Sequence, residues 1–286
     1  MTRLLLGLIC MALSHMALAA GADAVRKQAQ ASMLVTGSID VAPDGSVQSY
    51  AIDHAEKLPP VVVELLGKNV PTWKFEPVCV DGKPVLATAR MNLRIVARRS
   101  DDHHFSAGIV GAQFGQDHEA ATDNVSYKTR EQPHYPSMAV ESRVSGTVYL
   151  LLRVGRQGQV EEAATEQVDL GVYANDADME RFRNTLAKAA LKATAQWTFN
   201  VPTTGKHVAD DYWVARVPVN FSLSADRKAD PHDQYGQWQS YVPGPRQLVP
   251  WIEKSRLMAG DADATPAGSI SQLDQSLHLT TPLGGA

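Results

Sequence analysis

The stretch WKFEPVCVDGKPV (Trp73–Val85) is echoed by WTFNVPTTGKHV (Trp197–Val208), each placing Trp-x-Phe ahead of a Gly-Lys pair. The surroundings repeat as well. Upstream of the first, GSIDVAPDGSVQSYAI (Gly37–Ile52) alternates apolar and polar residues on both sides of Asp44-Gly45, the pattern of a hairpin. Upstream of the second, GTVYLLLRVGRQGQVEEAATEQV (Gly146–Val168) has the same form, with Gln157-Gly158 at the turn. Between hairpin and Trp lies a helical segment. In the second copy Met179, Phe182, Leu186, Ala189, Ala193 and Trp197 fall at three- and four-residue steps, one apolar stripe of a 3.6-residue helix with Asn175 or Asp176 as N-cap. In the first copy Pro59 or Pro60 opens a shorter helix and Pro71 ends it.

After each Gly-Lys comes a long β-type run, PVLATARMNLRIVA (Pro84–Ala97) and DYWVARVPVNFSL (Asp211–Leu223). The order strand, strand, helix, strand occurs twice. It predicts an α+β chain of two units, each a three-stranded antiparallel sheet (β-β-α-β) with one helix on one face. The expected organisation is a leader at 1–20, a first unit at 32–97, a polar connector at 98–132, a second unit at 133–224 and an extended or disordered tail at 225–286. That tail is rich in Pro, Gly, Ser, Gln and Asp, with LVPWIEKSRLM able to form a short helix.

The chain has 286 residues, 44% hydrophobic and 20% charged, with a formal charge of -4. That suits two modest domains and argues against a basic nucleic-acid binder. At the N-terminus, Arg3, an apolar run from Leu4 to Leu13 and small residues ending at Ala19-Ala20 have the layout of a cleavable secretory leader. Ser14 and His15 interrupt the run well short of the roughly 20 residues of a membrane span. Ile9 before Cys10 is too bulky for a lipid-anchor site. Without that segment Cys79 is the one remaining cysteine, so no internal disulfide forms. Beside Pro77 it reads as a small buried or half-buried side chain.

The second unit resembles the C-terminal domain of TonB energy transducers. The residues are PHYPSMAVESRVSGTVYLLLRVGRQGQV, ALKATAQWTFNVPTTGKHV and VPVNF, spread over Pro133 to Leu223. The first unit, Ser32 to Ala97, is similar through its hairpin, WKFEPVCVDGKPV and last strand, and lacks the Tyr-Pro lead-in. The resemblance implies a non-enzymatic, cofactor-free periplasmic protein. Such domains pair a strand with a periplasm-facing peptide of an outer-membrane transporter or another envelope protein.

Pro218 bears on where that happens. A proline has no N–H to give, so Asp211–Leu223 is expected to be an edge strand with Pro218 on its open side. By alternation the N–H groups of Val214, Arg216 and Asn220 then face outward, and those of Ala215, Val217 and Val219 inward. A proline that protects the edge from unwanted pairing is the rival reading, and the same edge would also serve a homodimer. Departures from the transducer pattern limit the carry-over: Ser14 and His15 are adjacent rather than a helical turn apart, and the connector is no long Pro-rich spacer. A membrane-anchored transducer remains the second reading. The third is a periplasmic enzyme or metal protein built on the connector's Asp101, Asp102, His103, His104, Asp117, His118 and Glu119, although HEAAT lacks the second histidine of a zinc helix. The pairs Trp73/Phe75 and Trp197/Phe199 are expected in the core rather than on a carbohydrate platform.

Overall fold

The computed structural model describes residues 30–99, 105–115, 122–205, 207–223, 235–257, 260–273 and 277–284. Residues 1–20, expected as a leader, and Asp101, Asp102, His103, His104, Asp117, His118, Glu119 and Lys206 lie outside these.

In the first unit, β1 (Gln30–Val41) and β2 (Val47–Ile52) form a hairpin, followed by α1 (Pro60–Asn69), a small ribbon of β3 (Cys79–Val80) and β4 (Lys83–Pro84), and β5 (Ala87–Arg99). Pro60 sits at the first helical position, where its missing N–H costs nothing. Along β1 the residues Met33, Val35, Ile39 and Val41 are buried at every second or fourth position, giving one apolar face. That face packs with Met91, Leu93 and Ile95 of β5 and with Val62 and Leu66 of α1.

The second unit runs β8 (Gly146–Gly155), β9 (Val160–Leu170), α3 (Asp176–Thr194), β10 (Thr198–Asn200) and β11 (Tyr212–Phe221), preceded by a short α2 (Ser137–Glu141). Asn175 caps α3 by accepting from the Asp178 N–H at 2.9 Å. The helix buries Met179, Phe182, Leu186, Ala190 and Thr194 against Leu150, Leu152, Val217 and Val219 of the sheet. Ala189 and Ala193, expected in that stripe, are only partly buried.

The Trp-x-Phe segments do the same work in both units. Phe75 N–H donates to Gly45 O at 2.8 Å, and Phe199 N–H donates to Gly158 O at 2.7 Å. Gly45 has φ 81° and Gly158 φ 78°. A Cβ on either would stand 2.1 Å from the carbonyl oxygen of that same phenylalanine. Only glycine fits both the backbone conformation and the contact. Trp73, Phe75, Trp197 and Phe199 are all buried, as expected for core residues.

Three expectations need correction. The sheets have five and four strands rather than three: β1 is flanked by β5 on one side and by β2 and β12 (Gln239–Tyr241) on the other, with β6 (Phe105–Gly115) outside β5, and the second sheet has the order β13-β11-β8-β9 with β13 at Ser271–Gln272. The segment 98–132 is not all connector. It contains β6, FSAGIVGAQFG, an uncharged run that the polar average of its flanks concealed, and β7 (Ser126–Thr129), which pairs with β10. Nor do the described parts of the tail stand apart. Residues 239–241 extend the first sheet, Val242 bridges to Leu170, the short α4 (Lys254–Leu257) buries Leu257, and Leu279 bridges to Phe75.

Val249, Ile252, Leu257 and Leu273 of the tail pack with Leu151 and Val214 on the face of the second sheet that α3 leaves bare. The two sheets meet on this side. Gln113 of β6 donates from Nε2 to Ser271 Oγ at 2.8 Å and accepts from Arg216 at 3.2 Å.

Candidate partner-binding edge

β11 pairs with β8 along its whole length, Tyr212↔Gly155 to Phe221↔Gly146. It is not the outermost strand that the sequence led one to expect: β13 lies on its other side, pairing among the described residues at Ala215↔Gln272 and Arg216↔Ser271. The direction of the backbone can be read from Pro218. Its carbonyl oxygen accepts from Arg130 Nη2 at 3.3 Å, away from β8. In a strand the N–H and C=O of one residue point the same way, so Val214, Arg216 and Asn220 share that outward direction.

Arg130 is itself firmly placed. Its guanidinium lies 4.7 Å from the centre of the Tyr127 ring and 5.4 Å from that of Trp197. Its Nη1 donates to Gly268 O at 3.2 Å. The Trp197 indole N–H is held by Glu131 O at 2.9 Å. The second Trp-x-Phe segment therefore fixes the cation that covers the gap left by Pro218.

The side chains of the three named residues have different fates. Val214 is buried against the tail, and Asn220 is exposed. Arg216 is wholly buried. Its Nε and Nη2 donate to the two oxygens of Glu166 at 2.6 and 2.9 Å, and Nη2 also reaches Leu257 O at 3.2 Å. Arg246 adds a second cation to Glu166 at 2.6 Å. On the outer side the Arg216 backbone is paired with Ser271, and its guanidinium is buried beneath the tail. Sequence reasoning did not find Glu166, Arg246, Gln113 or Arg130, because these residues lie far apart in the chain and nothing in EEAATEQVDL distinguishes an inward glutamate from a solvated one.

Asn220 also lines a polar cavity of about 220 Å³ between the sheets, together with Ser32, Arg94, Tyr149, Asp169 and Tyr241. Asp169 Oδ1 accepts from Gln167 Nε2 and Gly244 N–H, both at 2.9 Å, while Oδ2 is buried without a partner. Burial pushes this carboxyl up to about 6, against the lowering effect of those two hydrogen bonds.

Among the described residues no group of three or more His, Cys, Asp or Glu is arranged to hold a metal, and no helix is long and apolar enough to cross a membrane. Cys79 is exposed on the β3–β4 ribbon, not buried beside Pro77 as expected. A strand of two residues that pairs only with β4 has no layer to bury it.

No family model matches the chain. It is similar to the protein TonB of Xanthomonas campestris pv. campestris, in strains B100 and ATCC 33913, with 31% identity over 104 residues, 36% of this chain and 40% of each relative. It is also similar to protein tonB2 of Pseudomonas aeruginosa, with 31% identity over 101 residues, 35% of the chain and 32% of that relative. The chain thus spans well under half the length of these curated relatives. The ordered motifs and this similarity together show that the chain contains a TonB-like C-terminal domain.

Proposed function

We propose that this protein works in the periplasm as a non-enzymatic, TonB-like binding protein. Its second unit receives an extended, periplasm-facing peptide of an outer-membrane transporter, or of another envelope protein, as an added strand on β11. The observation that carries this is the disparity, among the described residues, between the two sides of β11, ten residues paired to β8 and two to β13. Unpaired backbone groups along such an edge are a template for a partner strand. The relatives named TonB support the choice of partner. The leader-like pattern at Leu4–Ala20 supports the compartment.

The first unit is a second copy of the same fold. The matching glycine-to-phenylalanine hydrogen bonds at Gly45–Phe75 and Gly158–Phe199 support duplication. Its β5 differs from β11 in being closed on its outer side by β6. A strand-addition role therefore falls to the second unit alone.

The test is capture of transporters from an outer-membrane extract by the wild type and by Asn220→Pro. Asn220 is exposed, and its N–H shares the outward direction of Pro218, so the substitution removes a donor without disturbing the core. Loss of at least about tenfold in capture is expected, on the order of one lost charge-free pairing site and its neighbour. Equal capture by both proteins would exclude strand addition at this edge.

A further inference from the structure

The two paired residues on the outer side of β11 belong to a segment that the rest of the chain receives first by its carbonyls and then by its side chains. Gly268, at φ 80°, turns the tail toward the edge and offers its carbonyl to Arg130 at 3.2 Å. Ser269 O accepts from the Tyr127 hydroxyl at 3.1 Å. Ile270 packs on the core of the second unit. Ser271 and Gln272 pair with Arg216 and Ala215. The Ser271 hydroxyl takes the Gln113 amide at 2.8 Å, and Gln272 Oε1 takes the Val125 N–H at 3.3 Å. Leu273 is buried with Leu151, Val214 and Ile252.

Main-chain contacts combined with distinct receivers for the side chains of Ile270, Ser271, Gln272 and Leu273 are how a sheet edge recognises an extended peptide. We propose that Gly268–Leu273 is an internal ligand of the β11 edge. An external strand binds at Ala215–Arg216 only when this segment leaves, and the external strand best suited to the seat carries the same order of side chains. That order is an apolar residue, a small hydroxyl residue, a carboxamide and a leucine-sized residue, in the places of Ile270, Ser271, Gln272 and Leu273. This inference rests on the strand-addition reading of β11 and adds to it both a gate and a partner class.

The gate has a structural basis in where the tail is held. On one side Asp261 exchanges hydrogen bonds with Ala112 of β6, its N–H donating to Ala112 O at 3.3 Å and its Oδ2 accepting from Ala112 N–H at 3.2 Å. On the other, Thr280 N–H donates to Lys74 O at 2.8 Å and Leu283 O accepts from the Trp73 indole at 3.1 Å. Gly268–Leu273 can leave β11 while Asp261 and Thr280 keep these bonds. Tethering gives it an effective concentration on the order of millimolar, so a two-residue pairing holds the seat against a free peptide of modest affinity. An external peptide then binds more weakly by the fraction of molecules whose seat is open.

The probe is a labelled synthetic peptide with the sequence PAGSISQLDQ, Pro266 to Gln275. It is titrated into the full-length wild type and into the full-length double variant Ser271→Pro, Leu273→Ser, whose tail can neither pair nor seat its leucine. The variant is expected to bind the probe at least about tenfold more tightly than the wild type, and a scrambled peptide is expected to bind neither. Equal affinity for both proteins, or no binding to the variant, overturns the proposal. Hydrogen exchange in the unaltered protein tests it again without any substitution: saturating probe should speed exchange at the Ser271 amide while Thr280 stays protected, and an unchanged Ser271 overturns it. The transporter capture assay separates the two layers. Capture by neither protein defeats strand addition itself, whereas equal capture by wild type and double variant defeats the gate and leaves strand addition standing.

Discussion

Arg216 grips both carboxylate oxygens of Glu166, at 2.6 and 2.9 Å, and neither side chain has any exposure. The pair lies under the tail, where Arg246 and the carbonyl of Leu257 complete its hydrogen bonds. Removing one partner of such a pair leaves an uncompensated buried charge, whereas removing both is far less costly. Glu166→Ala, which leaves the buried Arg216 guanidinium without a carboxylate, is expected to lower unfolding free energy by about 3–5 kcal/mol. The double variant Glu166→Leu, Arg216→Met should recover a substantial part of that loss. Urea unfolding of the three proteins checks it. A single variant within 1 kcal/mol of wild type would mean that the network contributes nothing to stability.

The hairpin glycines allow a sharper comparison. Gly158 and Gly82 both have positive φ, 78° and 74°. A Cβ at Gly82 meets nothing within 4 Å, whereas at Gly158 it stands 2.1 Å from Phe199 O. Gly82→Ala should therefore cost only the backbone penalty of about 1–2 kcal/mol. Gly158→Ala should cost that and also the loss of the Phe199–Gly158 hydrogen bond, about 1 kcal/mol or more. Thermal denaturation of both variants decides it, and equal melting temperatures would remove the Trp-x-Phe joint as a source of stability.

These two sites show why part of the fold could be read from sequence. Trp-x-Phe, the turn glycine and the helix stripe are local or periodic features, and each carries its own steric demand. β6 was missed because eleven uncharged residues are flanked by RRSDDHH and QDHEAATD, whose polarity dominates any window laid across the segment. The tail was missed for a different reason. Its strands are two or three residues long and are set by partners such as Ala31, Ala215 and Phe75, so no period within the tail reports them. At the candidate edge, Pro218 announced its own direction through the missing N–H. Nothing local announced that Arg216 turns inward to Glu166 or that Arg130 would reach Pro218 O.

The cavity carboxylate gives a pH signature. Asp169 is raised by burial to about 6, above the roughly 3.9 of an unfolded aspartate. As pH rises through about 4 to 6 the unfolded chain loses this proton first, so stability falls across that window and is level above it. At about 1.4 kcal/mol per unit the loss is on the order of 3 kcal/mol at neutral pH. The groups facing it are Arg94, Arg183, Asp263, Tyr149 and Tyr241. Asp261, also raised by burial, has the same sign, so the difference between proteins rather than the wild-type slope isolates Asp169. Asp169→Asn should melt higher than wild type at pH 7.5 and nearly equal to it at pH 4. Parallel profiles across that range would show that the carboxyl ionises without strain.

The described part of the tail belongs to the fold, and its removal from the sheet should be felt at a distance. Leu257 is fully buried with Val214 and Leu151, and its carbonyl accepts from both Arg216 and Arg246. Leu257→Ala is expected to cost about 2–5 kcal/mol, the range for a buried leucine that leaves a cavity. The loss should appear first as local opening, because Arg246 and Asp261 hold the same stretch through a handful of hydrogen bonds. Trypsin offers a direct readout, since Arg246 and Lys254 lie within this segment and Arg246 is largely shielded by Glu166. In the wild type, cleavage at Arg246 should wait for global unfolding; in Leu257→Ala it should precede loss of the α3 signal by circular dichroism. Rapid cleavage at Arg246 in the wild type would show that the tail leaves the sheet freely and that the second core closes without it.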